Sequence, residues 1–152
     1  MKKVVMVIAL GSAITISAAP ALDTAKIDNI TGLKGQLNEK EGVYRVGFPR
    51  NDVKVAVDGW TMPPFMGLTS WAAFTPVAEG GAMMMGDTVL FEDEVNPAMS
   101  AALDSGLQVT ALHNHLVDLS PELYFMHFWA HDTVDSVANG LKAGIDAMKG
   151  KP

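Results

Sequence analysis

Hydrophobic residues in this chain keep two different periods, and the change from one to the other restricts the class of fold it can adopt. Val53, Val55 and Val57 alternate with Lys54 and Ala56, the spacing of a strand with one buried face. Near 94–105 the period lengthens: Val95, Met99, Ala102 and Leu103 fall at i, i+4, i+7 and i+8, one face of a helix. Segments 107–115 and 123–129 return to strand character, and Val134, Ala138, Leu141, Ile145 and Met148 close the chain at helical spacing. Strands, a helix, two strands and a terminal helix predict an α+β domain, a mainly antiparallel sheet with two helices packed on one face. The C-terminal βαββα run, beginning at 83–91, fits half of a ferredoxin-like split unit.

Turn and capping residues set the boundaries. Residues 22–31 form a polar lead-in with one or two helical turns. Segments 32–38 and 43–48 flank the turn Asn38-Glu39-Lys40-Glu41-Gly42. Asp58-Gly59 is a strong hairpin signal, and Pro63-Pro64 with Gly67 marks 58–67 as a surface loop. Segment 68–74 is a further strand or buried segment, and 83–91 is a strand interrupted at Gly86-Asp87. Pro97 fits a helix only in its first turn, and Gly106 stops that helix. In the terminal helix Asp132 is the expected N-cap, with Asp135 in the first turn and Lys142 and Lys149 toward the C-terminal end.

The first residues read as a secretory leader. Lys2 and Lys3 precede an uncharged apolar run from Val4 to Ile16, and Ala19-Pro20-Ala21 is a small-x-small cleavage pattern, so cleavage is expected after Ala21. A run of about 13 residues is short for a ~30 Å hydrocarbon core, which argues against a stable membrane anchor. The remaining single domain, 22–152, is large enough for a real core. Losing Lys2 and Lys3 takes the formal charge from −6 to −8, and an acidic surface excludes nonspecific nucleic-acid binding. With no cysteine in the chain, a periplasmic or secreted location brings no disulfides, so stability must come from packing.

All four histidines lie between His113 and His131, in VTALHNHLVDLSPELYFMHFWAH. Neutral imidazole is the commonest protein metal ligand. On a strand His113 and His115 share a face, and an antiparallel hairpin through Ser120-Pro121 makes His113 and His127 diagonal neighbours. At about 3.4 Å per residue His115 and His131 stand tens of ångströms apart in a flat hairpin, so the expected set is His113, His115 and His127 with a carboxylate from elsewhere. The acidic run Glu92-Asp93-Glu94 supplies Glu94. Imidazole nitrogens with one oxygen suit zinc or copper(II). Each feature has an ordinary alternative: histidines bonded to backbone, aromatics Tyr124, Phe125, Phe128 and Trp129 in the core, an acidic helix start, and Met83-Met84-Met85 as core filling rather than a copper(I) feature.

The motifs together resemble the bacterial LppY/LpqO-type family of exported domains of unknown function. The resemblance runs from about Asp28 to Ala147. It rests on Asp52-Val53-Lys54-Val55 with Asp58-Gly59, on GLTSWAAF (67–74), on GDTVLFEDEVNPAM (86–99), and on VTALHNHL with MHFWAHD. It implies that Glu94, His113, His115 and His127 stand at matching motif positions. The namesake lipoproteins carry a cysteine that this chain lacks, which implies soluble export. Some members have two related halves, so a single unit implies a homodimer.

Three functions follow as expectations. The first is an exported zinc- or copper-binding domain that uses His113, His115, His127 and Glu94. The second is a metal-dependent hydrolase with Glu94 as general base. The third is a metal-free module for a small molecule or cell-wall fragment, with Trp129 or Trp71 lining its pocket.

Overall fold

The computed structural model describes residues 20–148. The apolar run expected to be a leader lies outside the described residues. Three helices and a six-stranded antiparallel sheet form the domain, with a three-stranded sheet beside them. Helix α1 (Thr24–Thr31) starts on Asp23, which accepts the Lys26 N–H, and stops at Gly32 in the left-handed conformation. Strands β1 (Gly35–Asn38) and β2 (Val43–Pro49) follow as a hairpin.

Residues 53–57 were expected to pair along their length, but only Ala56–Val57 does so, as β3. Val53 and Val55 are nevertheless buried and Lys54 exposed, so the alternation reports burial rather than ladder pairing. Asp58 (φ 49°) and Gly59 (φ 80°) connect β3 to β4 (Trp60–Thr61), a two-residue turn with two left-handed residues. The expected loop then holds a 3-10 turn at Pro64–Met66.

Strands β5 (Thr69–Pro76) and β6 (Ala82–Phe91) run the length of the main sheet. Gly86-Asp87 does not interrupt β6. A Cβ at Gly86 would lie 2.5 Å from both Phe128 Cζ and the Trp71 carbonyl oxygen, so glycine here makes room for a ring packed on the strand. Helix α2 (Glu92–Asp104) begins early enough to put Pro97 beyond its first turn, against expectation. The helix forgoes one i→i−4 hydrogen bond there.

Strand β7 (Gln108–Asn114), the short β8 (Leu119–Ser120) and β9 (Leu123–Asp132) precede helix α3 (Val134–Asp146). The N-cap of α3 is Thr133 rather than Asp132. Thr133 Oγ1 accepts from the Ser136 N–H, and Asp132 sits one residue earlier, accepting from the Thr133 N–H and the Ser136 hydroxyl.

The main sheet has the order β1-β2-β5-β6-β9-β7, every neighbour antiparallel. One face carries Tyr44, Val46, Phe48, Ala72, Phe74, Met84, Leu90, Met126 and Phe128 into a core. All three helices close this core, through Ile27, Val95, Ala98, Ala102, Val137, Leu141 and Ile145. The sequence reading anticipated two helices; α1 joins them because Ile27 is fully buried. A second core of Val53, Val55, Met62, Leu68, Val89, Leu119, Leu123 and Phe125 lies on the opposite face. It seats the small sheet β4-β3-β8 over one end of that face. The rest of the face is open, and the histidines are there.

Gly86→Ala should lower the unfolding free energy by about 1–3 kcal/mol, the usual cost of overpacking, read as a reduced urea midpoint. An unchanged midpoint would show that the Phe128 ring and the β5 backbone at Trp71 both give way.

Candidate metal centre

Strand pairing brings two of the three expected histidines together. In the β7–β9 ladder Ala111 faces His127 and His113 faces Phe125, so His113 and His127 are diagonal neighbours on one face. Their Nε2 atoms are 2.9 Å apart, and the rings lie 23° from parallel. His113 Nδ1 is 2.9 Å from the Asn114 carbonyl oxygen. A carbonyl can only accept, so this Nδ1 carries the proton and the neutral ring has a bare Nε2.

His115, just past the end of β7, stacks on Phe125 with centroids 4.2 Å apart. Its Nε2 lies against Gly67, 3.2 Å from where a Cβ would stand. His131 is exposed and paired with Met83 at the far end of β9.

Glu94 is not with the histidines. It is 1% exposed, and both its oxygens accept from Arg50, at 3.0 Å each. Its Oε2 also accepts the Phe91 N–H, 2.8 Å away, at the start of α2. Arg50 is itself buried and bonds Asp52 twice and the Val89 carbonyl once. These contacts raise the Arg50 pKa against the effect of burial. Glu94 is therefore committed to closing a buried ion pair and capping a helix. Glu92 and Asp93, the rest of that acidic run, line a surface hollow with Pro121 and Glu122.

The carboxylate beside the histidines is Asp87, the direct cross-strand partner of His127. Its Oδ1 is 3.7 Å from His127 Nδ1. That is close enough for charge attraction and too long for a hydrogen bond, so Oδ1 is buried without a hydrogen-bond partner. Burial holds the Asp87 carboxyl above the usual carboxylate range, against the attraction of His127, His113 and His115. Sequence reasoning passed over Asp87 as part of a Gly-Asp break. Its one signal was the odd position 87, which shares a face with the valine at 89.

Of the methionine run, Met84 is core, whereas Met85 is 57% exposed on the open face, opposite Trp129. Among the described residues no three histidine, aspartate or glutamate side chains stand together as a ready-made ion cage. What the face provides is one pair of facing imidazole nitrogens, a third imidazole stacked nearby, and a buried carboxylate behind one of the pair.

A model of the family described as Domain of Unknown Function (DUF1259) matches residues 25–147. No curated protein matches the chain, and no solved structure does.

Two variants separate the carboxylates. Glu94→Gln should destabilise the domain by roughly 3–5 kcal/mol, because breaking a buried pair strands the remaining charge. It should leave ligand binding at the histidines unchanged. Asp87→Asn should do the reverse, raising the thermal midpoint of the metal-free protein at neutral pH by removing a buried charge with one oxygen lacking a hydrogen bond. Urea and thermal unfolding monitored by circular dichroism read both. A destabilised Asp87→Asn protein would mean that its attraction to the histidines outweighs its burial.

Proposed function

The chain belongs to the DUF1259 family, and from the facing imidazoles on its open sheet face we propose that it is an exported metal-binding domain taking one zinc or copper ion. The observation that carries this reading is the 2.9 Å contact between His113 Nε2 and His127 Nε2. His113 holds its proton on Nδ1 for the Asn114 carbonyl, so in the free protein the His127 Nε2–H donates to the bare His113 Nε2. A cation that displaces this proton meets both ring nitrogens, and the Asp87 carboxylate beside His127 then favours the proton on His127 Nδ1. A tetrahedral ion with Zn–N bonds of 2.0–2.1 Å separates its ligand atoms by about 3.3 Å, a few tenths of an ångström from the spacing present.

His113 and His127 are the first two ligands, and His115 is the third, reached by rotation off Phe125. Asp87 supports His127 from behind, a carboxylate–histidine–metal relay that orients the ring and raises its basicity. Water completes the shell. The hydrolase reading with Glu94 as base is not carried forward, because Glu94 is engaged by Arg50 and the α2 N-terminus. Export rests on the N-terminal run of Lys2, Lys3 and the apolar segment up to Ala21. Among the described residues no helix is long and apolar enough to cross a membrane. The finer likeness to LppY/LpqO-type proteins rests on the motifs quoted above.

Elemental analysis of untagged protein, stripped with chelator and reloaded, tests the reading. One equivalent of zinc or copper is expected. His113→Ala and His127→Ala should each remove it while the circular-dichroism spectrum and unfolding midpoint are retained, since both positions are outside the two cores. Stoichiometric metal retained by both variants would sink the assignment. Failure to load under any condition would leave a shared proton between the rings and retire the metal.

A further inference from the structure

The open face continues past the histidines, across β6 to β5 and β2. Asp87 faces Trp71, and Trp71 faces Gly47, so one cross-strand row runs Gly47, Trp71, Asp87, His127. Directly opposite Cβ atoms in such pairs lie about 5 Å apart. Beside this row is a groove of about 500 Å³ bordered by Gln36, Arg45, Gly47, Phe65, Thr69 and Trp71, within the usual size range of small-molecule sites.

Three features give the groove a chemistry. Arg45 Cζ lies 4.3 Å from the Trp71 ring centroid. An aromatic face holds a guanidinium in place without using its N–H donors. No ion pair to Arg45 occurs among the described residues, whereas Lys34, on the same rim, pairs with Asp28 at 2.9 Å. The groove is thus locally basic in a chain of net charge −6. Gly47 leaves the floor open: a Cβ there would meet only Thr69 Cγ2 and the Ser70 carbonyl oxygen, at ordinary contact distances of 3.8 and 3.9 Å. Phe65, 93% exposed on the 3-10 turn, forms an apolar wall with nothing packed over it.

We propose that this groove binds an organic carboxylate with a flat apolar body. The carboxylate takes the planar fork of Arg45. The body lies over Gly47 between Phe65 and Trp71, and its far end points along the row toward Asp87 and His127. The groove would then hold the organic partner of the metal centre. Only the direction of that far end rests on the metal reading; the Arg45–Trp71 site does not.

The test titrates 2-naphthoate, and the uncharged 2-naphthalenemethanol of similar shape, into metal-free and zinc-treated protein. Amide, indole and arginine Nε resonances are followed by two-dimensional NMR. Naphthoate should bind the metal-free protein at least tenfold more tightly than the alcohol, with the largest shifts at Gly47, Trp71 and Arg45. Arg45→Gln should bring naphthoate down to the level of the alcohol, and Arg45→Lys should fall between. Arg45 is exposed, so these variants should fold, which circular dichroism checks. Equal affinities for the two probes, shifts centred elsewhere, an unaffected Arg45→Gln protein, or no naphthoate binding at millimolar concentration would each overturn the proposal. Naphthoate binding retained in His113→Ala, with zinc retained in Arg45→Gln, would show two independent sites. Failure of the unaltered protein to take up zinc, with naphthoate still bound, would refute the metal reading and leave the groove standing.

Discussion

The architecture depends on a single buried guanidinium. Arg50 is 2% exposed, and a charge removed from water costs several kcal/mol unless every polar group around it is matched. Here the match is complete. All five N–H donors are used, two on Asp52, two on Glu94 and one on the Val89 carbonyl. These acceptors come from the segment after β2, from β6 and from the start of α2, so one side chain joins three parts of the fold. Drawing Asp52 to Arg50 brings Val53 and Val55 into the second core. That core in turn seats the small sheet over one end of the face opposite the helices.

The partial cover determines where chemistry can occur. An antiparallel sheet packed on one face can leave the other to water, and here the second face is half covered. Phe125 marks the limit. It is buried in the second core, yet its ring stacks with His113 and His115 at the edge of the open region. The imidazoles therefore lie against a packed wall on one side and open sheet on the other, carried by ladder-paired strands or, for His115, by the residue that follows one. Side chains on such elements are positioned more tightly than side chains on long loops.

How much of this was legible depended on the range of the interaction. The diagonal contact of His113 with His127 followed from counting residues in an antiparallel hairpin, and the ladder pairs Ala111 with His127 as that requires. The Asp58-Gly59 turn and the terminal helix were legible for the same reason, since each is a local signal. The carboxylate was misplaced. Glu94 stands in an acidic run that looks available, and its partner Arg50 is 44 residues away, with no pattern linking the two. Asp87 is paired with His127 only because β6 lies beside β9, a strand order that no local signal contains. Gly86 looked like a break because the Phe128 ring that needs the space comes from a distant strand. The Arg45–Trp71 stack was equally invisible, since it joins β2 to β5 diagonally.

The two carboxylate clusters of this chain make an instructive contrast. Around Arg50 every donor has an acceptor, and the cluster is closed by the protein itself. Around Asp87 the balance is left open: Oδ1 has no hydrogen-bond partner, and the two Nε2 atoms beside it are joined only through an exchangeable proton. Both arrangements lie on paired strands, where the backbone cannot shift to relieve them without breaking the ladder. Side-chain rotation could separate the rings, but it would give up the His113 Nδ1 bond to Asn114 and the stacking between the imidazoles. A cation in place of the shared proton takes both nitrogens as ligands, and it strengthens the attraction of the His127 ring for the carboxylate behind it. The orphaned carboxylate oxygen and the displaceable proton are what make this cluster a ligand site on the proposed reading, and the satisfied Arg50 cluster leaves no such opening.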